Sequence, residues 1–312
     1  MAPVFIVGAT GVGKSGVAME LARKSGAAIL AMDAMQVYRG ADIGTSKPSS
    51  EERKEIPHGG IDLVEFGANF DVAQYLRHAS IFLREQCEAG RRVIIVGGTG
   101  LYFRALTRGL CEAPQGSEEL RAELKVLSVE ELQARLKRVD PGMAGRLDVS
   151  NPRRLARAIE VKEVSGRSLR EWQEETPEPL VKEFAAFWIE RSKEELEERI
   201  RQRVEAMFAA GWVEEVRGLV EKQGLEAVRN FSGIGYREIG EMIASCDLRS
   251  PGQQVVRATQ EGVKGDIYAA TRQYAKRQLT WFGREPNLQR VMLSGSQPLS
   301  AVLRTAVMPS SF

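Results

Sequence analysis

Residues 8–15, Gly8-Ala9-Thr10-Gly11-Val12-Gly13-Lys14-Ser15, constrain this chain more than any other stretch. They fit G-x-x-x-x-G-K-[ST] at every fixed position. The preceding Pro3–Val7 run (PVFIV) reads as a buried strand ending at Gly8. After the loop, Val17, Ala18, Leu21 and Ala22 recur at helical spacing until Gly26 stops the pattern. A strand, a glycine-rich loop and a helix start turn a run of backbone N–H groups toward one concavity. The helix adds its unpaired amides and positive dipole end. Lys14 supplies a point charge for phosphate oxygens, and Ser15 a hydroxyl for Mg2+. The loop therefore predicts binding of a di- or triphosphate. It also commits the first hundred residues to an α/β fold.

The rest of the pattern agrees. Ala28–Ala31 reads as a second strand, residues 71–89 as a long helix closed by Gly90, and Val93–Val96 as a third strand. Strands alternating with helices at this spacing argue for a P-loop-type parallel sheet flanked by helices. From residue 118 to 170 the pattern is helical and charged, with no convincing strand. Phe184–Ile189 (FAAFWI) restores a strand, and helices follow over 193–210, 213–222 and 253–282. The expected organisation is a catalytic core over residues 1–112, an inserted all-helical domain over 113–180, and the rest of the core with C-terminal helices over 181–312. Residues 283–312 carry little pattern and read as a loose tail.

Composition excludes several alternatives. Forty-four Lys and Arg nearly balance 42 Asp and Glu, so the chain is no polycation. Nucleic-acid binding would need a local basic face instead. Three scattered cysteines form no CxxC pair, and two histidines are too few for a histidine-built metal centre. There is no run of about 18 apolar residues and no charged leader ahead of an apolar stretch. A cytoplasmic protein without membrane contact is expected, and nothing suggests more than a monomer.

Two further motifs lie at strand ends. Asp33 follows the second strand, at the sheet edge where open α/β sheets bind ligands. Such a carboxylate can ligate magnesium, accept a proton or cap a helix. Gln36 offers a donor and an acceptor, as needed to read an adenine edge. The loop Gly44–Pro48 adds a cation, Lys47. Thr99, in Gly97-Gly-Thr-Gly-Leu-Tyr102, follows the third strand and would face the same edge. That strand ends without the carboxylate that ATP- and GTP-hydrolysing loops usually use to hold magnesium. The departure weakens a plain nucleotide-hydrolase reading.

These three motifs, in this order, resemble those of the tRNA dimethylallyltransferase family, in its form without a zinc finger. The resemblance continues through Asn151–Val161, Arg199–Val216, Ile234–Glu238 and Thr271–Phe282, so it spans residues 8 to 282. It implies transfer of a dimethylallyl group from dimethylallyl diphosphate to the exocyclic amine of the adenosine 3′-adjacent to the anticodon. The partners implied are the donor and the tRNA anticodon stem-loop. Residues 8–15 would hold the diphosphate, with Mg2+ on Ser15. Asp33 matches the general base. Thr99 matches a residue contacting the donor phosphate or the amine. Arg203 matches the arginine that neutralises the leaving group, although Arg199 lies one turn away and could also reach. The target adenosine would be met by Asp33, Ala34, Met35, Gln36 and Thr99. The tRNA would be gripped by Arg121, Arg153, Arg154 and Arg157, by Gly235, Tyr236 and Arg237, and by Arg272, Lys276 and Arg277.

The chain departs from the family at Ala34, where serine is usual, at Gly59, where a second histidine is common, and at Trp212, where a smaller apolar residue is usual. Two other readings compete. A prenyltransferase of free adenine nucleotides would share the loop and Asp33 but lack the helical insert and the late arginine-bearing helix. A small-molecule kinase would need a platform for adenine, and none is recognisable.

Overall fold

The computed structural model describes residues 2–148, 150–247 and 259–295. The chain opens with β1 (Val4–Gly8), α1 (Lys14–Ser25), β2 (Ala28–Met32), α2 (Ser50–Glu55), β3 (His58–Gly59), α3 (Val72–Glu88) and β4 (Val93–Gly97). Helices α4 (Gly100–Arg108), α5 (Glu118–Val126), α6 (Val129–Val139), α7 (Pro141–Ala144), α8 (Pro152–Ser165) and α9 (Leu169–Glu174) follow. Then come β5 (Ala185–Glu190), α10 (Lys193–Ala209), α11 (Trp212–Gln223), α12 (Leu225–Asn230), α13 (Tyr236–Asp247), α14 (Gln260–Phe282) and β6 (Gln289–Met292).

The six strands form one sheet in the order β3-β2-β4-β1-β5-β6, every pair parallel. Their apolar runs are buried on both faces, as parallel strands require. Chain order reverses around β1, so the crevice beyond its carboxyl end is the natural ligand site. The register makes that crevice level. Val7 and Met32 both pair with Gly97, and Gly8 pairs with Ile189. The loops after β1, β2 and β4 therefore leave the sheet side by side.

The chain divides into two compact units. One runs through residue 103 and resumes at Val181, and the other spans Arg104–Leu180. In the first unit one apolar cluster joins Ile6, Val17, Ile29 and Ile94 to Ile200 and Ala275. A second gathers Trp212, Val216, Tyr236, Ile239 and Ile267. The second unit is all-helical around Leu124, Leu132, Leu136, Leu155 and Ile159. Five of its helices start on polar caps: Ser117, Ser128, Asp140, Asn151 and Ser168 each accept a backbone N–H of the following turn.

Two boundaries differ from the sequence reading. Residues 289–292 are not tail but β6, paired with β5 from Phe187↔Gln289 to Glu190↔Met292. This edge strand carries only one inward apolar residue, Val291, so alternation over four residues was too short to register. Helix α14 begins at Gln260 behind a Thr259 cap, and the expected start at residue 253 lies outside the described residues.

Candidate active site

The phosphate loop lies between β1 and α1. Gly11 and Gly13 sit at φ 85° and 98°, the left-handed region that side chains resist, so the loop curls tightly. Three of its carbonyls are held by cations. Ala9 accepts from the Lys14 ammonium at 2.7 Å, Gly11 from Arg199 Nε at 2.8 Å and Val12 from Arg191 Nε at 2.9 Å. The Thr10 and Val12 amides are also engaged, on Gln278 Oε1 and the Ala9 carbonyl, so an anion would be met by the amides of the loop's last turn.

At the end of β2, Asp33 Oδ1 accepts from Met35 N–H at 2.8 Å, and Ala34 N–H donates to the Thr99 hydroxyl at 3.2 Å. That bond ties the ends of β2 and β4 together, with Asp33 beside Thr99. The Asp33 charge reaches Lys14 and Arg203 and also the Tyr75, Tyr102 and Tyr274 hydroxyls. Tyr75 and Tyr102 stack with centroids 4.0 Å apart. Burial pushes the Tyr274 hydroxyl up to about 12, with Asp33 acting in the same direction. Burial likewise raises Tyr102. These hydroxyls stay protonated and neutral, and that of Tyr75 donates to the Ala31 carbonyl at 3.0 Å.

Arg203, on α10, is recessed and makes no hydrogen bond among the described residues. Burial lowers its pKa and Asp33 opposes that. Lys14 is pushed down to about 7, first by burial and then by Arg203, against the pull of Asp33. Two recessed cations within electrostatic reach of each other and of a single carboxylate leave a net positive charge suited to a polyanion. The sign gives a prediction. Pyrophosphate binding favours charged Lys14, so in magnesium-free buffer at pH 8 the free protein must take up a proton on binding, and at pH 6 it need not. Calorimetry in buffers of different ionisation enthalpy is expected to show this uptake, and Lys14→Arg, charged throughout, is expected to abolish the step.

The structure also corrects several sequence assignments. Gln36 donates both amide hydrogens to the carbonyls of Thr45 and Ser46, at 3.0 and 3.1 Å, which leaves only its oxygen to read a base. Lys47 is no free cation, since its ammonium is buried on the Tyr38 carbonyl, Asp42 and Asp62. Tyr236 is not a tRNA contact. It is fully buried and donates to Glu215 Oε1 at 2.7 Å. Gly235, at φ 95°, lies under Trp212, where a Cβ would meet the ring at 2.2 Å. Trp212 fills its larger volume at the expense of Gly235 and Gly44, both of which touch it. Gly235→Ala is expected to cost about 1–3 kcal/mol by overpacking, read by denaturant unfolding. Arg237 is exposed, as expected of a surface contact.

On α14, Arg272 and Lys276 are exposed, and Arg272 lies 3.6 Å from Glu197 of α10. Arg272 thus meets an acid from a neighbouring helix, the α14 sequence having none after Asp266. Arg277 is exposed and lies over the Tyr274 ring. In the helical unit Arg153 and Arg154 are exposed on α8. Arg121 lies 3.9 Å from the buried Glu160. Arg157 turns inward instead of gripping a ligand: it donates to the carbonyls of Ala113 and Pro114 and to Glu160. The Gly59 departure has a packing reason, because a Cβ there would sit 2.6 Å from the Phe82 ring.

Sequence reasoning missed Arg191, Glu215 and Gln278. Arg191 gave no signal beyond following β5. Glu215 accepts the N–H groups of Asp42, Ile43 and Gly44 and so shapes the loop that holds Gln36. Gln278 Oε1 accepts from Thr10 N–H at 2.8 Å, and its Nε2 donates to Gly98 O at 2.9 Å.

Among the described residues no three His, Cys, Asp or Glu side chains cluster to hold a metal. The hydroxyl of Ser15, exposed in the first turn of α1, fits an ion that arrives mainly on phosphate oxygens and water, as magnesium commonly does.

Fold and site together define a P-loop transferase, with an anion cradle and a carboxylate at adjacent strand ends. The comparisons with known proteins are more particular. The IPP transferase family model matches residues 36–285, and the isopentenyl transferase model matches residues 1–64. The chain belongs to the IPP transferase family. It is 43% identical to a tRNA dimethylallyltransferase of Methylacidiphilum infernorum over 99% of this chain and 91% of the relative. A Geobacter metallireducens tRNA dimethylallyltransferase is 40% identical over 91% and 90% of the two chains. The crystal structure of a full-length tRNA isopentenylpyrophosphate transferase from Bacillus halodurans superposes with a TM-score of 0.68 at 29% identity, covering 98% of this chain and 94% of that one. A eukaryotic dimethylallyltransferase acting on tRNA shares the fold, with a TM-score of 0.78 at 23% identity over 98% and 77%.

Proposed function

We propose that this protein transfers the dimethylallyl group of dimethylallyl diphosphate to the exocyclic amine of the tRNA adenosine 3′-adjacent to the anticodon. The observation that carries this reading is the phosphate loop set level with Asp33 and Thr99 at the ends of β1, β2 and β4, with the Lys14 and Arg203 charges within reach of the Asp33 carboxylate.

The phosphate loop of residues 8–15 binds the donor's diphosphate through Lys14 and the amides of its last turn, the Thr10 N–H being held by Gln278. Magnesium, held on Ser15 and phosphate oxygens, would neutralise further charge there. In the transfer step the donor's C1–O bond breaks and a bond from C1 to the adenine nitrogen forms. The electron pair leaves with diphosphate, whose growing charge Lys14 and Arg203 offset. The amine's lone pair is delocalised into the ring, so the attack needs its proton removed. Asp33 accepts that proton. The Gln36 oxygen accepts from the amine's other hydrogen, which favours adenine over a base presenting a carbonyl at that place. The base must leave its stack to reach the site. Arg153, Arg154, Arg237, Arg272, Lys276 and Arg277 are the exposed cations available for tRNA phosphates.

The working form is a cytoplasmic monomer. No helix among the described residues is long and apolar enough to cross a membrane.

The test incubates the protein with magnesium, labelled dimethylallyl diphosphate and unmodified tRNA, with AMP and ATP as parallel acceptors. Label in tRNA alone is expected. Label in AMP or ATP would overturn the acceptor assignment. Absence of transfer with ATP consumption would overturn the reaction.

A further inference from the structure

Gln278 joins the loop after β1 directly to the turn after β4. It is 6% exposed and lies on the buried stripe of α14, between Ala275 and Phe282. Its carbonyl oxygen accepts from Thr10 N–H, within the phosphate loop. Its amide nitrogen donates to the Gly98 carbonyl, next to Thr99. The two bonds fix the amide's orientation, because a flipped group would set oxygen against carbonyl and nitrogen against N–H. Gly98 has room for no side chain here: a Cβ would fall 2.1 Å from Gln278 Nε2.

From these contacts we infer that Gln278 is a positioning residue for group transfer, holding the donor-binding loop at a fixed spacing from the Thr99–Asp33 turn. The inference rests on the reading given under Proposed function. It assigns Gln278 no contact with substrate. The reacting carbon is carried by the phosphate loop, and the attacking nitrogen is placed by the strand ends that Thr99 joins to Asp33. A displacement of about 1 Å between such halves can cost a hundredfold in rate. Diphosphate binding itself does not need the bridge. Thr10 N–H points at Gln278, while the amides of the following turn and Lys14 remain in place.

The test compares the parent with Gln278→Met, Gly98→Ala and the double variant. Gln278→Met keeps the side chain's length and removes both bonds. Gly98→Ala displaces the same amide by crowding. Single-turnover transfer at saturating donor and tRNA is expected to fall about tenfold to a hundredfold in each single variant. Pyrophosphate affinity and the tRNA KM are expected to stay within about threefold of the parent, the sign of an interaction used in the transition state. The double variant is expected to be no slower than the worse single one, since both remove the same bridge. A Gln278→Met variant with the parent's rate overturns the inference. So does pyrophosphate affinity falling in step with rate, or two defects that multiply. If Gln278→Met melts below the assay temperature, Gly98→Ala decides alone. The parent's own transfer, measured first, judges the underlying reaction separately from these ratios.

Discussion

Asp33→Asn is expected to slow prenyl transfer by about two to four powers of ten, the usual contribution of a positioned base. Asparagine has nearly the same shape, and its oxygen can still accept from Met35 N–H, so the turn after β2 should persist. The Thr99–Ala34 link does not involve the carboxylate and should persist too. What disappears is the proton acceptor and the negative charge. Loss of that charge has a second readout. Asp33 opposes the depression of the Lys14 pKa, so its removal should lower Lys14 further below about 7. The protonation step in pyrophosphate binding should then move to lower pH. Single-turnover rates with labelled donor and tRNA measure the first effect, and calorimetry across pH the second. An Asp33→Asn protein with the parent's rate would remove the base from the mechanism.

The sheet and its catalytic edge were legible because short-range rules decide them. A buried parallel strand is a continuous apolar run, and a phosphate loop needs glycine at fixed steps. Thus β1, β2, β4 and the ends carrying Lys14, Asp33 and Thr99 could be read directly. Strand β6 could not, since its burial depends on β5 as a neighbour and not on its own pattern. The arginines divide in the same way. Arg157 and Arg154 share one helix and one residue type. The carbonyls of residues 113 and 114, more than forty positions away, decide that only Arg157 is used internally. Tyr236 was misplaced for a similar reason, its partner Glu215 lying on another helix. Gln278 did leave a trace. It falls on the stripe of Val263, Ile267, Thr271, Ala275 and Phe282. A large amide on an otherwise apolar face must find hydrogen-bond partners there. The stripe reports that such partners exist without saying that they belong to the phosphate loop.

Arg203→Ala is expected to reduce transfer by about two to three powers of ten, the cost of removing one preorganised charge from a developing anion. The guanidinium has no hydrogen bond among the described residues and lies beside Lys14 and Asp33. Its charge therefore acts through space, held by Asp33 and opposed by Lys14. Arg199 contrasts with it one turn earlier. Its Nε is bound to the Gly11 carbonyl from outside the loop. Arg199→Ala should accordingly loosen the loop and weaken pyrophosphate binding, with a smaller effect on the rate at saturation. The two roles separate in the pH dependence. Arg203 depresses the Lys14 pKa, whereas Arg199 is not among the groups that shift it. Removing Arg203 should raise Lys14 only part of the way toward its ordinary value, because burial is the larger cause, so proton uptake on pyrophosphate binding at pH 8 should shrink. Removing Arg199 should leave that uptake in place. If Arg203→Ala kept both the parent's rate and its proton uptake at pH 8, the leaving group would be stabilised elsewhere. Arg199, whose terminal nitrogen lies 3.4 Å from the Cβ position of Gly13, would then be the nearer cation to examine.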